Sequence, residues 1–269
     1  MKIWKNTSTI DDYCLGLEFT NLKEEAAIAL IGSKPIHLDE FPILKGIFKT
    51  GIGRDNIPFE KAKEKGIQVC FPSTETIEII LEETASFTCS LIFKMLYNNT
   101  GSIEKWVKSS RKKLSNKKLL VIGNGNIGSR VFNFMSPFME VYSYDILHNT
   151  DLELKKFIEA CDCITLHIPK IDDNISFFDK EKLSWMKNNS VLINTARGPI
   201  VEEKALYNEL KNKRIIAAFD VFWQEPYKGI LKELHPNPFY MTPHIASTCV
   251  DFLIGCRKDL DRFTNELSS

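Results

Sequence analysis

Short apolar runs recur along the chain, separated by amphipathic segments of similar length. Residues 27–31, 44–49, 67–71, 119–122, 139–145, 163–169, 191–194 and 215–221 are rich in Ile, Val, Leu, Phe and Ala and predict strands. Their near-continuous apolarity is that of parallel strands covered on both faces. Between them, residues 59–65, 129–135, 151–160, 180–186 and 202–211 predict helices. Pro58 suits a first helical turn and Gly66 a helix end. A longer helix is predicted over 76–97. Its Ile77, Ile80, Leu81, Thr84, Phe87, Leu91 and Met95 fall at three- and four-residue intervals, giving one core-facing stripe. Residues 250–267 predict a closing helix. Residues 1–25 give no clear period, and the basic stretch from Trp106 to Lys118 reads as a solvated connector rather than an anion site.

Strand–helix alternation of this kind predicts an α/β fold, here a Rossmann-type doubly wound parallel sheet with a second, smaller flavodoxin-like domain. The expected division is residues 1–93, completed by 245–269, for the smaller domain and 94–244 for the larger. The 269 residues suffice for two modest cores. Lys+Arg and Asp+Glu both total 35, so the net charge of zero gives no support for nucleic acid or an anionic membrane as partner. No apolar run reaches the roughly 18 residues of a membrane helix, and the first residues lack an apolar signal core. The seven cysteines form no C-x-x-C pair, and Cys161 and Cys163 have no further ligands nearby. Buried free thiols, no metal and a cytoplasmic location are the expectations.

The stretch from Leu119 to Gly128 carries the first chemistry. A four-residue apolar strand runs into Gly123, Gly125 and Gly128, spaced G-x-G-x-x-G, and a helix follows. The first glycine serves a tight turn, the second a close approach of backbone to pyrophosphate, the third the packing of helix on strand. The helix start offers free N–H groups to phosphate. Asp145 ends the next strand, 20 residues beyond Gly125, where a carboxylate can meet ribose hydroxyls. This is a dinucleotide site, and Asp145 favours NAD over NADP.

Ligands of open parallel sheets bind beyond the carboxyl ends of the strands. Arg197, Glu225 and His244 each follow a predicted strand there. Arginine can grip carboxylate and carbonyl oxygens with a planar fork, and histidine beside a carboxylate can exchange a proton near neutral pH. Together they suit hydride transfer between a dinucleotide and a 2-oxo acid.

These motifs give the chain a family resemblance. It resembles the NAD-dependent D-isomer-specific 2-hydroxyacid dehydrogenases from about Leu44 to its end. The matching runs are Gly51-Ile52-Gly53-Arg54-Asp55-Asn56-Ile57, the glycine motif, residues 161–169, Asn194-Thr195-Ala196-Arg197-Gly198-Pro199-Ile200-Val201, Phe219-Asp220-Val221-Phe222-Trp223-Gln224-Glu225-Pro226 and Thr242-Pro243-His244-Ile245. The resemblance implies Arg197 as substrate-binding arginine, Glu225 as orienting acid and His244 as acid/base. It implies that Asp220 bonds the nicotinamide carboxamide, with the Thr195 and Ala196 backbone near that ring. Asn126, Ile127 and Asp145 would hold pyrophosphate and ribose, and the amides around Ile52 and Gly53 the carboxylate of a small 2-oxo or 2-hydroxy acid in a cleft between the domains.

Three departures stand out. The first domain is short, Phe71 replaces an asparagine common in relatives, and the connector 98–118 is shorter than the arm that often supports a homodimer. Trp223 and Phe71 lean toward a compact or apolar substrate side group, and His167 reads as structural. The alternatives are a dinucleotide-sensing protein with little turnover, and a formate dehydrogenase, in which glutamine normally replaces Glu225.

Overall fold

A computed structural model describes residues 1–268. In chain order its strands and helices are β1 (Ile3–Lys5), β2 (Ile28–Ile31), β3 (Gly46–Lys49), α1 (Phe59–Glu64), β4 (Gln68–Cys70), α2 (Thr74–Leu96), β5 (Gly101–Ser102) and β6 (Val107–Lys108). There follow β7 (Lys118–Ile122), α3 (Asn126–Met135), β8 (Glu140–Tyr144), α4 (Asp151–Ala160), β9 (Cys163–Leu166) and α5 (Lys180–Trp185). The chain continues through β10 (Val191–Asn194), α6 (Glu203–Lys211), β11 (Ile216–Phe219), β12 (Phe239–Met241) and α7 (Val250–Glu266).

Two compact units result: Met1–Glu83 with the segment from Ser247 on, and Thr84–Ala246. The sequence places the first boundary after residue 93, within the last turn of α2. The contacts divide that helix earlier because its two halves serve different cores. Ile80 packs with Ile28, Phe48 and Phe252, whereas Ala85, Cys89, Ile92 and Met95 pack with Val121, Val131 and Ile193.

In the larger unit six parallel strands run in the order β12-β11-β10-β9-β7-β8. After β8 the chain crosses back over β7 to β9, so the order reverses between β7 and β9, where a crevice opens at the strand ends. Helices α2 and α3 cover one face, and α4, α5 and α6 the other. Strands β7, β9, β10 and β11 are buried almost throughout, which is why each reads as an unbroken apolar run.

The smaller unit holds four parallel strands in the order β1-β2-β3-β4. A single bridge from Ile3 to Phe19 extends the sheet beyond β1. Counted as a vestigial second strand, Phe19 gives the flavodoxin-like order 2-1-3-4-5. Helix α7 packs closely on β3: a Cβ at Gly46 would lie 2.6 Å from the Phe263 ring. The start of α2 is tied to α7 by Asp259, a buried carboxylate that accepts from the Ser73 amide (2.8 Å) and the Thr76 hydroxyl (2.8 Å).

Candidate active site

The crevice begins at the glycine motif. Gly123 stands at φ +95°, where a side chain is strained, and a Cβ there would come 2.7 Å from the His167 carbonyl. A Cβ on Gly128 would lie 1.9 Å from the Gly123 carbonyl, so this glycine is what lets α3 start against β7. Gly125 differs: its Cβ would meet nothing within 4 Å. It precedes α3 as a cap with no side-chain hydrogen bond, so the Asn126, Ile127 and Gly128 amides keep the free N–H groups of a helix start. An open cradle of amides with no Cβ over it fits a pyrophosphate.

Asp145 follows β8 beside this turn. Its carboxylate accepts from the Asn124 amide (3.2 Å) and the Leu147 amide (3.0 Å). Those two bonds hold its carboxyl below the usual carboxylate range, so it is ionised at neutral pH. His167 lies on the other flank, with Nε2 3.0 Å from the buried Thr165 hydroxyl. Burial pushes its imidazole down to about 3, which leaves the ring neutral at neutral pH and unable to serve there as a proton source.

The turn after β10 is clamped by a residue the sequence reading passed over. Asn194, fully buried, donates from Nδ2 to the Arg197 carbonyl (2.9 Å) and accepts the Ala196 amide at Oδ1 (3.0 Å). The Ala196 carbonyl accepts from the Arg197 guanidinium (2.7 Å). The Thr195 hydroxyl meets that of Thr88 on α2 at 2.8 Å. Thr88 already donates to the Thr84 carbonyl (2.7 Å), so Thr195 is the donor between them. The turn then presses on the next one: a Cβ at Gly198 would lie 2.1 Å from the Phe222 backbone. That contact seats the Arg197 turn against the one leading to Glu225.

Glu225 is anchored by the Phe222 amide on Oε1 (3.2 Å) and reaches His244 Nδ1 with Oε2 at 2.8 Å. Both side chains are partly exposed, 24% for Glu225 and 35% for His244, so the pair opens to solvent on one side. His244 itself adopts φ +56°, a left-handed conformation uncommon outside glycine. Asp220 holds the chain there. Its fully buried carboxylate accepts from the Thr242 hydroxyl (2.5 Å) and from the Ile245 and Ala246 amides (2.9 Å each). Burial pushes its carboxyl up, and these three bonds draw it back.

The larger unit thus brings Arg197, Glu225 and His244 onto neighbouring turns at the carboxyl ends of strands whose first βα turn is an amide cradle. Residues 95–246 match the family described as D-isomer specific 2-hydroxyacid dehydrogenase, NAD binding domain. The chain belongs to that family. It is an NAD-dependent oxidoreductase of the 2-hydroxyacid dehydrogenase type. It is 32% identical to a hydroxypyruvate reductase of Thermotoga maritima, over 77% of this chain and 72% of that one. It is 29% identical to a glyoxylate reductase of Korarchaeum cryptofilum, over 84% and 74%. Among solved structures, D-lactate dehydrogenase of Aquifex aeolicus, in complex with NAD and lactic acid, superposes with a TM-score of 0.81 at 24% identity, covering 98% of this chain and 94% of that one.

In the smaller unit, Ile52 and Gly53 lie half-buried on the turn after β3. Among the described residues no hydrogen bond takes either amide. Also among the described residues, no group of three or more His, Cys, Asp or Glu side chains is placed to hold a metal ion, and no helix is long and apolar enough to cross a membrane.

Proposed function

We propose that the chain interconverts a small 2-oxo acid and its D-2-hydroxy acid, with His244 as acid/base, Glu225 as its orienting partner and Arg197 as the substrate-binding arginine. The observation that carries this is the His244–Glu225 pair at 2.8 Å, at the open end of the same sheet that carries the amide cradle. NAD, held by the amides of Gly125 to Gly128 and by Asp145, supplies or accepts the hydride. The Glu225 carboxylate accepts from Nδ1–H and so fixes the tautomer that leaves Nε2 free. In reduction a protonated Nε2 delivers its proton to the nascent alkoxide. In oxidation neutral Nε2 removes the hydroxyl proton. The Arg197 fork holds carboxylate and carbonyl oxygens, and the unpartnered Ile52 and Gly53 amides take the carboxylate.

Asp220 positions the 242–246 turn, and its Oδ2, which among the described residues binds the Ala246 amide, is the proposed acceptor for the nicotinamide carboxamide. Asn194 already takes the Ala196 amide, which leaves that residue and Thr195 to border the ring by backbone contact. The reading is tested by NADH oxidation with a panel of 2-oxo acids. Turnover of one or more that Arg197→Ala impairs through KM supports it. Tight NADH binding with no turnover on any acid refutes it in favour of a dinucleotide sensor.

A homodimer is proposed as well. It is supported by the β5–β6 ribbon, whose Ile103 and Trp106 are 84% and 83% exposed, and light scattering of wild type and Trp106→Ala tests it. A cytoplasmic location is proposed from seven cysteines, all free thiols, and fractionation tests it.

A further inference from the structure

The amide pair at Ile52 and Gly53 is followed at once by a cation whose placement the reaction does not explain. Arg54 sits on the turn beyond the carboxyl end of β3, and Phe71 on the segment that leaves β4. The Arg54 guanidinium lies 5.0 Å from the Phe71 ring centre and 5.9 Å from that of Phe59. The two rings are themselves stacked, with centroids 6.3 Å apart and planes 13° from parallel. An exposed arginine ordinarily samples many rotamers. Here the guanidinium is laid across an aromatic platform at the strand ends. No carboxylate among the described residues pairs with it.

Phe71 was expected to offer an apolar wall to the substrate. With Arg54 over it and Phe59 stacked on it, what this corner presents is a fixed positive charge with free N–H donors beside two free amides. A charge fixed in this way, with its donors unused, is suited to a planar oxyanion.

We propose that Arg54 is a specificity-determining residue, and that the substrate is a 2-oxo acid carrying a second anionic group on its side chain. The inference rests on the reading that Ile52 and Gly53 take the 2-carboxylate. The adjacent guanidinium then takes the distal group, a carboxylate or a phosphate ester, through charge-assisted hydrogen bonds.

The test is kcat/KM with NADH for matched acids that differ in that group. One pair is 2-oxopentanoate and 2-oxoglutarate, for a distal carboxylate. The other is hydroxypyruvate and 3-phosphooxypyruvate, for a distal phosphate. Wild type is expected to prefer the dianion of one pair by 10-fold or more, and the pair showing it identifies the group. In Arg54→Gln that ratio should collapse by about 10–100-fold, mainly through KM of the dianion. Arg54→Lys should restore part of it by keeping the charge. Wild type reducing the member that lacks the distal anionic group as well as the member that carries it, in both pairs, overturns the proposal and leaves the hydride-transfer reading standing. So does an Arg54→Gln protein in which both members of the preferred pair weaken alike, because that is the mark of a merely structural arginine. Failure to reduce any of the four acids, by a protein that binds NADH, overturns the hydride-transfer reading and this proposal with it.

Discussion

The glycines of the motif make separable contributions, and that gives the sharpest test of the cofactor site. A methyl group on Gly128 would lie 1.9 Å from the Gly123 carbonyl oxygen, so backbone must move by about 1.5 Å to restore an ordinary contact of 3.4 Å. The obstruction is backbone between a buried strand and the helix it feeds, where no rotamer can yield. Overpacking of that kind costs about 3 kcal/mol, the upper end of the usual range. For a chain of this size, that lowers Tm by about 6–12 °C. Gly125→Ala meets nothing within 4 Å and stands at φ −75°, which alanine adopts freely. Its stability should change by less than about 1 kcal/mol. Its methyl group, however, occupies the face of the amide cradle.

Losing one amide–phosphate hydrogen bond, worth about 1.5–3 kcal/mol for a charged acceptor, weakens NADH binding by about 10–150-fold. Thermal unfolding and a fluorescence titration with NADH, run on both variants, check the two halves. Gly128→Ala should melt early, and Gly125→Ala should melt like wild type yet bind NADH poorly. A Gly125→Ala protein with wild-type affinity would refute the placing of the pyrophosphate on these amides. A Gly128→Ala protein with wild-type Tm would refute the packing argument.

The remaining predictions are briefer. His244→Gln should lower kcat by about 10²–10⁴-fold with NADH affinity nearly intact, and a near-wild-type rate in stopped-flow reduction counts against it as acid/base. Asp145→Ala should narrow the NADH-over-NADPH preference in kcat/KM, chiefly by weakening NADH. Wild type using both cofactors equally would remove the basis for this, since Asp145 is ionised and would repel a 2′-phosphate. Asp259→Ala strands the Ser73 amide and leaves the buried Thr76 hydroxyl to the Ser73 hydroxyl at 3.1 Å, so urea unfolding should show a loss of about 1–3 kcal/mol; an unchanged midpoint would show those bonds to be dispensable. His167 titrates near 6.5 unfolded and about 3 folded, so between those values the unfolded chain binds the extra proton and stability falls as pH falls. His167→Asn should make that acid slope shallower by up to one proton, and parallel slopes for the two proteins would contradict it.

What the sequence showed and what it hid divides along physical lines. Strands β7, β10 and β11 are covered on both faces, so burial writes itself as an apolar run. The β5–β6 ribbon has no such record, because its strands are two residues long and Val107 faces solvent. Strand β1 is three residues long, and its neighbour beyond Ile3 is the single bridge at Phe19, too little for a period to show within residues 1–25. Helix α3 starts at Asn126, inside the glycine motif, where glycine hides the helical pattern that becomes visible only at Ser129. At the site, the arginine, glutamate and histidine could be read from their positions after strands. The Asn194 clamp and the Thr88–Thr195 contact could not, since one depends on a turn folding back on itself and the other joins residues 107 apart. The Arg54–Phe71 contact was hidden for the same reason, and it changes what Phe71 offers a substrate.

The two acids of the histidine turn show why burial, more than residue type, decides the role. Asp220 and Glu225 lie five residues apart in sequence. Asp220 is fully enclosed and meets three donors, all from residues 242–246. Holding His244 at φ +56° costs about 1–3 kcal/mol of backbone strain. The Thr242 hydroxyl and the Ile245 and Ala246 amides bind one buried carboxylate from both sides of His244, and so tie the strained turn at two points of the backbone. Asp220 therefore fixes the backbone on which His244 stands. Glu225 keeps a quarter of its side chain in solvent, with one oxygen on the Phe222 amide and the other on the imidazole. A buried acid sets where the histidine is and a half-open one sets which nitrogen carries the proton. Both follow from how far each side chain lies beneath the ends of the strands.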